Sequence, residues 1–319
     1  MRKEGELDKK IMVVGGAGFI GSHLVDALVK DGHDVAVMDN LFLGKEENIP
    51  KEADCYIADA SNNIELSLAI TEQQPDVIFN LAVLPLPHSL EHPHQNIYSN
   101  IQIVNNLCSQ LRRKAYKRLI HFSSSEVYGS AQYEPMCEKH PIEPSTPYAA
   151  SKAAGDFICM SYSKTFGDDI SIIRPFNNYG PRQNAGSYAG IIPLTINRIL
   201  RKKDPIVYGD GNQTRDYIYV GDTVRAAMML LKRDDLTGQI FNIASGHDIS
   251  IKWLVDEIAE IIQSETGEPV KPTQYLKERP GDVRRHIANT LKAKDILGFE
   301  HKTGMEEGLR KTINWYLDN

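Results

Sequence analysis

Tyr148 and Lys152 stand four residues apart in the run Pro147-Tyr148-Ala149-Ala150-Ser151-Lys152, inside a segment with helical periodicity, so their side chains share one face. An ammonium beside a phenol favours the phenolate and lowers the phenol pKa, which a tyrosine needs if it is to take a proton near neutral pH. A solitary Tyr-x-x-x-Lys pair is common and is usually two solvent-facing helix residues. Here Ser123-Ser124-Ser125-Glu126 closes a preceding strand-like run, and open α/β sheets place their chemistry beyond the carboxyl ends of their strands.

A second set of residues has the spacing of a dinucleotide site. The apolar run Ile11-Met12-Val13-Val14 leads into Gly15, Gly18 and Gly21, then into an amphipathic segment with Leu24, Val25, Leu28 and Val29 that stops at Gly32. Strand, glycine turn and helix in that order bring backbone amides and a helix N-terminus to a pyrophosphate. The next strand, Val35 to Met38, ends at Asp39, which can accept hydrogen bonds from both ribose hydroxyls and would repel a 2′-phosphate, so NAD is expected rather than NADP. Asp59, after a third strand, fits either a contact to the adenine amine or a turn cap.

The elements that must carry these residues alternate. Strand-like runs at 55–58, 77–81, 118–122 and 170–174 are separated by helical periodicity and are apolar on both faces. The fold class expected is α/β, a doubly wound parallel sheet covered by helices. After Pro175, glycines and prolines break the chain into shorter pieces that predict a smaller C-terminal α/β lobe. The helix-like 222–231 and strand-like 240–243 return to the first lobe. The expected division is 1–177 plus about 218–243 for the first domain, and about 178–217 plus 244–319 for the second.

Composition limits the alternatives. With 36 Lys+Arg against 42 Asp+Glu the net charge is −6, which excludes a basic nucleic-acid-binding arm as the dominant feature. Four dispersed cysteines make neither a CxxC pair nor a secreted disulfide scaffold, and no apolar run reaches the roughly 18 residues that cross a bilayer. A soluble, cytoplasmic protein without a cleaved signal is expected. His88, His92 and His94 around Glu91 have some of the spacing of a metal site, but Pro93 interrupts their helix and no cysteine is near, so no metal is expected.

Several motifs together resemble one family. GGAGFIG (15–21), NLA (80–82), SSSEVYG (123–129), PYAASK (147–152), RPFNNYGP (174–181), YGDGNQTRDYIYVGD (208–222) and RPGDVRR (279–285) are similar to those of the extended short-chain dehydrogenases/reductases that act as nucleotide-sugar epimerases and dehydratases. The resemblance implies a Rossmann domain holding NAD, and a first step in which a hydride leaves C4 of a hexose on a nucleoside diphosphate while Tyr148 takes the hydroxyl proton. It implies Ser124 as the donor that positions that hydroxyl and Lys152 as tuner of Tyr148 and ligand of the nicotinamide ribose. By the same matching the cofactor contacts are Gly15, Gly18, Phe19, Ile20, Gly21, Asp39, Asn40, Asp59, Ala60, Leu81, Ala82, Asn100, Ser123, Tyr148, Lys152 and Pro175. Ser125, Asn177, Arg215, Arg279 and Arg284 fall around the nucleotide sugar, with UDP or dTDP favoured; guanidinium forks suit phosphate oxygens.

Within the family the steps after the 4-ketone differ, and Glu126 is the discriminating residue. Dehydratases use a glutamate there as the base for the C5 proton, whereas simple epimerisation has no obvious task for a carboxylate. Ser125 stands where dTDP-glucose dehydratases have an acid that protonates the leaving hydroxyl. The expectation is a 4,6-dehydratase-like enzyme, with a UDP-hexose 4-epimerase close behind, then a UDP-glucuronate decarboxylase, and a non-catalytic NAD-binding scaffold as the non-enzyme alternative. Relatives pair two helices per subunit into a homodimer; the corresponding segments are 100–113 and 148–166, with Ile101, Val104, Leu107, Leu111 and Phe157 as candidate contacts.

Overall fold

A computed structural model describes residues 9–186, 188–277 and 284–319. The first half of the chain alternates as the apolar pattern requires: β1 (Lys10–Val14), α1 (Phe19–Asp31), β2 (Asp34–Asp39), β3 (Asp54–Ile57), α2 (Asn63–Gln73), β4 (Val77–Asn80), α3 (Leu86–Glu91), α4 (Pro93–Arg112), β5 (Arg118–Phe122), α5 (Pro147–Phe166) and β6 (Asp169–Pro175). Then come β7 (Asn177–Tyr179), α6 (Ile191–Leu200), β8 (Ile206–Tyr208), β9 (Thr214–Tyr219), α7 (Val220–Leu231), β10 (Ile240–Ile243), β11 (Asp248–Ser250), α8 (Ile251–Thr266), β12 (Gln274–Leu276) and α9 (Met305–Asp318).

The chain divides into two compact units, Met1–Ser124, Thr146–Ile173 and Ala227–Ile240 forming the first, and Ser125–Ser145, Arg174–Ala226 and Phe241–Asn319 the second. The sequence pattern places 1–177 in one piece. The structure differs because 125–145 is bonded into the second unit: Tyr128 Oη donates to Asn242 Oδ1 at 2.6 Å, Asn242 N donates to Glu138 Oε1 at 2.8 Å, and Met136 N donates to Ile287 O at 2.9 Å. Residues 174–177, 218–226 and 241–243, expected in the first domain, also belong to the second unit.

The main sheet has the order β10-β6-β5-β4-β1-β2-β3, with β3, β2, β1, β4, β5 and β6 parallel. Its direction of winding reverses between β1 and β4, the position where such sheets open a crevice at their carboxyl ends. All of β4 and β5 is buried, which explains their largely apolar character, Asn80, Arg118 and His121 being the polar exceptions. Buried residues of α2, α4 and α5, among them Leu66, Leu107 and Cys159, share one core with Met12, Ile78 and Leu119 of the strands. In the second unit β11, β9 and β7 make a three-stranded sheet, and α6, α8 and α9 bury Ile196, Ile258 and Ile313 in a separate core.

The glycine turn is set by close packing. Gly15 has φ +84, and a Cβ there would stand 2.5 Å from the Ala82 nitrogen; a Cβ at Gly21 would run into the Gly15 carbonyl. The start of α1 is thereby drawn against the β4 end.

Candidate active site

Within the first unit, the end of β5 and the start of α5 carry the candidate catalytic residues. Thr146 caps α5, its Oγ1 accepting from Ala149 N at 3.1 Å, and Pro147 occupies the first turn where no N–H is missed. Tyr148 and Lys152 follow one turn apart. Lys152 is buried, and its Nζ donates a hydrogen bond to the carbonyl of Phe122, the last residue of β5. Burial pushes this ammonium down from its ordinary value near 10.5 to about 8, against the attraction of Asp156. A partly desolvated cation one turn from a phenol is what a tyrosine base requires.

Ser123 and Ser124 follow Phe122. Ser123 N donates to Ile173 O at 2.7 Å, while its Oγ is buried and has no hydrogen-bond partner in the described residues. An orphaned hydroxyl at a strand end is a polar group awaiting a ligand.

At the dinucleotide site Asp39 accepts from Ala17 N at 3.0 Å through Oδ2 and from Leu41 N at 2.8 Å through Oδ1. Burial raises its pKa, those two amides opposing the rise, and each oxygen keeps lone pairs for ribose hydroxyls. Gly18 caps α1 without any side-chain bond, and a Cβ there would approach only the Gly15 carbonyl, at 3.4 Å; Phe19 and Ile20 form the first turn. Leu81 N donates to Val14 O at 2.7 Å and Ala82 lies against Gly15. These residues, with the orphaned Ser123 hydroxyl, fit NAD. Asn40 Oδ1 accepts from Phe42 N at 3.1 Å.

Three expected contacts have partners within the protein. Asp59 Oδ1 accepts from Ser61 N at 2.8 Å, so the turn-capping reading is realised, and the Ala60 carbonyl accepts from Asn106. Asn100 is buried; its Oδ1 accepts from Leu84 N at 2.8 Å, and its Nδ2 faces Leu84 O, Asn96 Oδ1 and Ser151 Oγ at 3.0 to 3.2 Å. It fixes the loop after β4 and, through Ser151 and the Tyr148 carbonyl, the first turn of α5.

The substrate candidates lie in the second unit. Ser125 and Glu126 begin a single 3₁₀ turn to Tyr128; Ser125 is buried and Glu126 half-buried. Pro175 ends β6, and Asn177 on β7 donates from Nδ2 to Asp216 O at 3.1 Å. Arg215 on β9 donates to Thr214 O at 2.9 Å, and the neighbouring Thr214 N donates to the Arg284 carbonyl at 3.0 Å, so two guanidinium residues lie on adjacent segments. Arg284 forks onto Asp210 at 3.1 and 3.0 Å, holding that carboxyl well below the carboxylate range. Arg279 lies outside the described residues.

Three buried groups carried no recognised signal. Asp216 accepts from Ser245 N and Oγ, Gly246 N and Ala288 N; burial pushes its pKa up to about 6 against those donors. His286, beside Phe176 at 5.1 Å, bonds the Ser125 backbone, and burial with the Arg215 charge lowers its pKa to about 4. His121 sits under α5 with Asp156, four residues past Lys152. Of the other histidines, His88 and His92 pack at 5.1 Å while His94 stacks on Tyr98. Among the described residues no group of three His, Cys, Asp or Glu could hold a metal, and no helix is long and apolar enough to cross a membrane.

Residues 11–244 match the model of the NAD dependent epimerase/dehydratase family. The chain belongs to this family. It is an NAD-dependent enzyme. A UDP-glucose 4-epimerase of Mycolicibacterium smegmatis is 32% identical over 313 residues, covering 96% of this chain and 98% of that one. The crystal structure of a UDP-glucose 4-epimerase of Thermotoga maritima with UDP-glucose superposes with a TM-score of 0.90 at 32% identity, over 97% of this chain and 98% of that one. DesIV of Streptomyces venezuelae, a dTDP-glucose 4,6-dehydratase solved with NAD, gives 0.88 at 28% identity over 97% of each. Epimerases and a dehydratase thus match at similar levels, and the enzyme belongs with those that modify nucleotide sugars.

The buried lysine has a measurable signature. Between about 8 and 10.5 the unfolded chain still binds the Lys152 proton while the folded protein has released it. Stability should therefore rise with pH across that window and be lost as pH falls through about 8. Relative to Lys152→Met, the unfolding free energy of the wild type is expected to gain about 3 kcal/mol over this range. A constant difference in urea titrations would contradict it.

Proposed function

We propose that the enzyme oxidises C4 of a nucleoside-diphosphate hexose and then works at C5, as a 4,6-dehydratase does. The observation that carries the first step is Lys152, buried on the Phe122 carbonyl one turn from Tyr148. Its charge favours the Tyr148 phenolate, which takes the C4 hydroxyl proton; Ser124 donates to that hydroxyl and orients it. Bound NAD supplies the acceptor and later donor of the C4 hydrogen. Asn177, Arg215, Arg284 and Arg279 bind the nucleotide diphosphate, with Asp210 holding the Arg284 fork in register. Ser125 stands beside the sugar. UDP and dTDP are the favoured carriers, as in the matched structures.

The C5 step rests on Glu126, whose carboxylate is half-buried in a single 3₁₀ turn immediately after the serines. A 4-ketone acidifies the C5 proton, and a fixed carboxylate can remove it. A second reading, UDP-hexose 4-epimerase, is favoured by Ser125: a serine gives the departing C6 hydroxyl no acid. It is favoured too by the epimerase similarities.

We further propose a homodimer through α4 and α5. Val104, Leu107 and Leu111, expected at that interface, are instead spent in the core; Tyr98, Phe157 and Phe166, 59%, 55% and 46% exposed, are large apolar side chains of these helices left for a second copy.

Mass spectrometry of UDP-, dTDP- and GDP-hexose reactions should show loss of water, and Glu126→Gln should abolish that loss while C4 oxidation persists. Unchanged mass with inverted C4 would instead establish the epimerase reading, full turnover by Glu126→Gln would remove the argument for C5 chemistry, and loss of carbon dioxide from UDP-glucuronate would establish a decarboxylase. Sedimentation should give a dimer at micromolar concentration that Phe157→Glu dissociates, and a wild-type monomer overturns the pairing.

A further inference from the structure

Beneath Tyr148 and Lys152 lies a polar layer that the ketone-forming step leaves unused. Asp156 and His121 are 0% and 1% exposed, and Lys152 is 5% exposed. Lys152 and Asp156 are four apart on α5, hence on one helix face. His121 precedes Phe122, whose carbonyl accepts from Lys152, so both residues of β5 meet the same turn of α5. The His121 Nε2 stands 4.0 Å from Asp156 Oδ1. Gly155 lies against this layer: a Cβ there would meet Val104 Cγ2 at 3.2 Å and His121 Nε2 at 3.4 Å.

With Asn80 Nδ2 donating to His121 Nδ1 at 3.1 Å, the imidazole keeps its proton on Nε2, the nitrogen facing the carboxylate. Burial and the Lys152 charge push the His121 pKa well down, so the ring is neutral. A buried carboxylate needs an opposite charge. His121 does not supply it, and the cation in the layer is Lys152.

We propose that Asp156 is a positioning residue of the reaction: its carboxylate is the buried counter-charge of the Lys152 ammonium, and acts on Tyr148 through that lysine. This rests on Tyr148 and Lys152 as the ketone-forming pair, whichever product results. The groups facing the pair are His121 from β5, Cys159 from α5 and, 4.0 Å from its sulfur, Cys108 from α4; α3 brings His88 and Glu91, which act on one another. Of these, Asp156 exerts the largest pull toward the charged lysine, opposing the burial that lowers it.

The test is the pH profile of turnover of the holoenzyme on whichever nucleotide hexose it accepts. In the wild type the alkaline limb should fall near 8, where Lys152 gives up its proton. Asp156→Asn, nearly isosteric, should move that limb down by about one pH unit, a tenfold change in the lysine's ionisation ratio. Asp156→Glu should restore it. An Asp156→Asn profile superimposable on wild type overturns the proposal if Lys152→Met is inactive. If Lys152→Met turns over at the wild-type rate, the Tyr148–Lys152 reading itself fails, and the proposal with it. Unfolding of the dinucleotide-free protein supplies a second readout. Lys152→Met should be less destabilising in the Asp156→Asn background, because both charges then leave together. Additive effects on stability count against the pairing. Should Asp156→Asn alone not fold, folding of the double variant supports the proposal and its failure to fold overturns it.

Discussion

The site depends on keeping one ammonium out of water without discharging it. Lys152 is held on the Phe122 carbonyl, and that single bond fixes the first turns of α5 against the end of β5. Desolvation alone would neutralise a lysine at neutral pH; a carbonyl acceptor and a nearby carboxylate oppose it. The surrounding structure serves the same constraint. Asn96 and Asn100 pin the loop after β4, and Ser151 ties that clamp to the Tyr148 carbonyl. A cation one turn from a phenol favours its phenolate.

Most strands of the main sheet were legible because burial on both faces leaves nearly unbroken apolar runs, and the dinucleotide turn was legible because only glycine fits at Gly15 and Gly21. The unit boundary was less so. Residues 125–145 contain no regular element beyond a short turn, and their attachment to Asn242 and Ile287, more than a hundred residues away, leaves no local periodicity. Tyr148 and Lys152 were found by spacing. Asp156 has the same spacing from Lys152, yet an acidic residue on a helix is ordinarily solvent-facing, and only burial changes its meaning. Asn100, matched to a cofactor contact, also makes hydrogen bonds to Leu84 and Ser151 that no sequence spacing reveals.

The two units divide the task. The first supplies what every member of such a family needs, a dinucleotide turn and a proton-transferring pair. The second holds the Ser125–Glu126 turn and the arginines, to which the proposal assigns the nucleotide sugar and the steps after the ketone. Asp216 is the hub there: its carboxylate fixes the backbone at Ser245, Gly246 and Ala288, next to the strand residue Arg215. His286 joins that framework to the Ser125 backbone. On the proposed reading the chemistry after the ketone falls to a few side chains on short connections, which accords with overall similarity to epimerases and a dehydratase alike.

Stopped-flow absorbance of the nicotinamide, on mixing holoenzyme with UDP- or dTDP-hexose, tracks the C4 oxidation before any later step. A transient reduced form is expected in the wild type, and Lys152→Met should slow its appearance at least about a hundredfold, in the range assigned to general acid–base catalysis. Reduction at the wild-type rate in Lys152→Met, or none in the wild type with any glycosyl nucleotide, would contradict the role given to the buried ammonium.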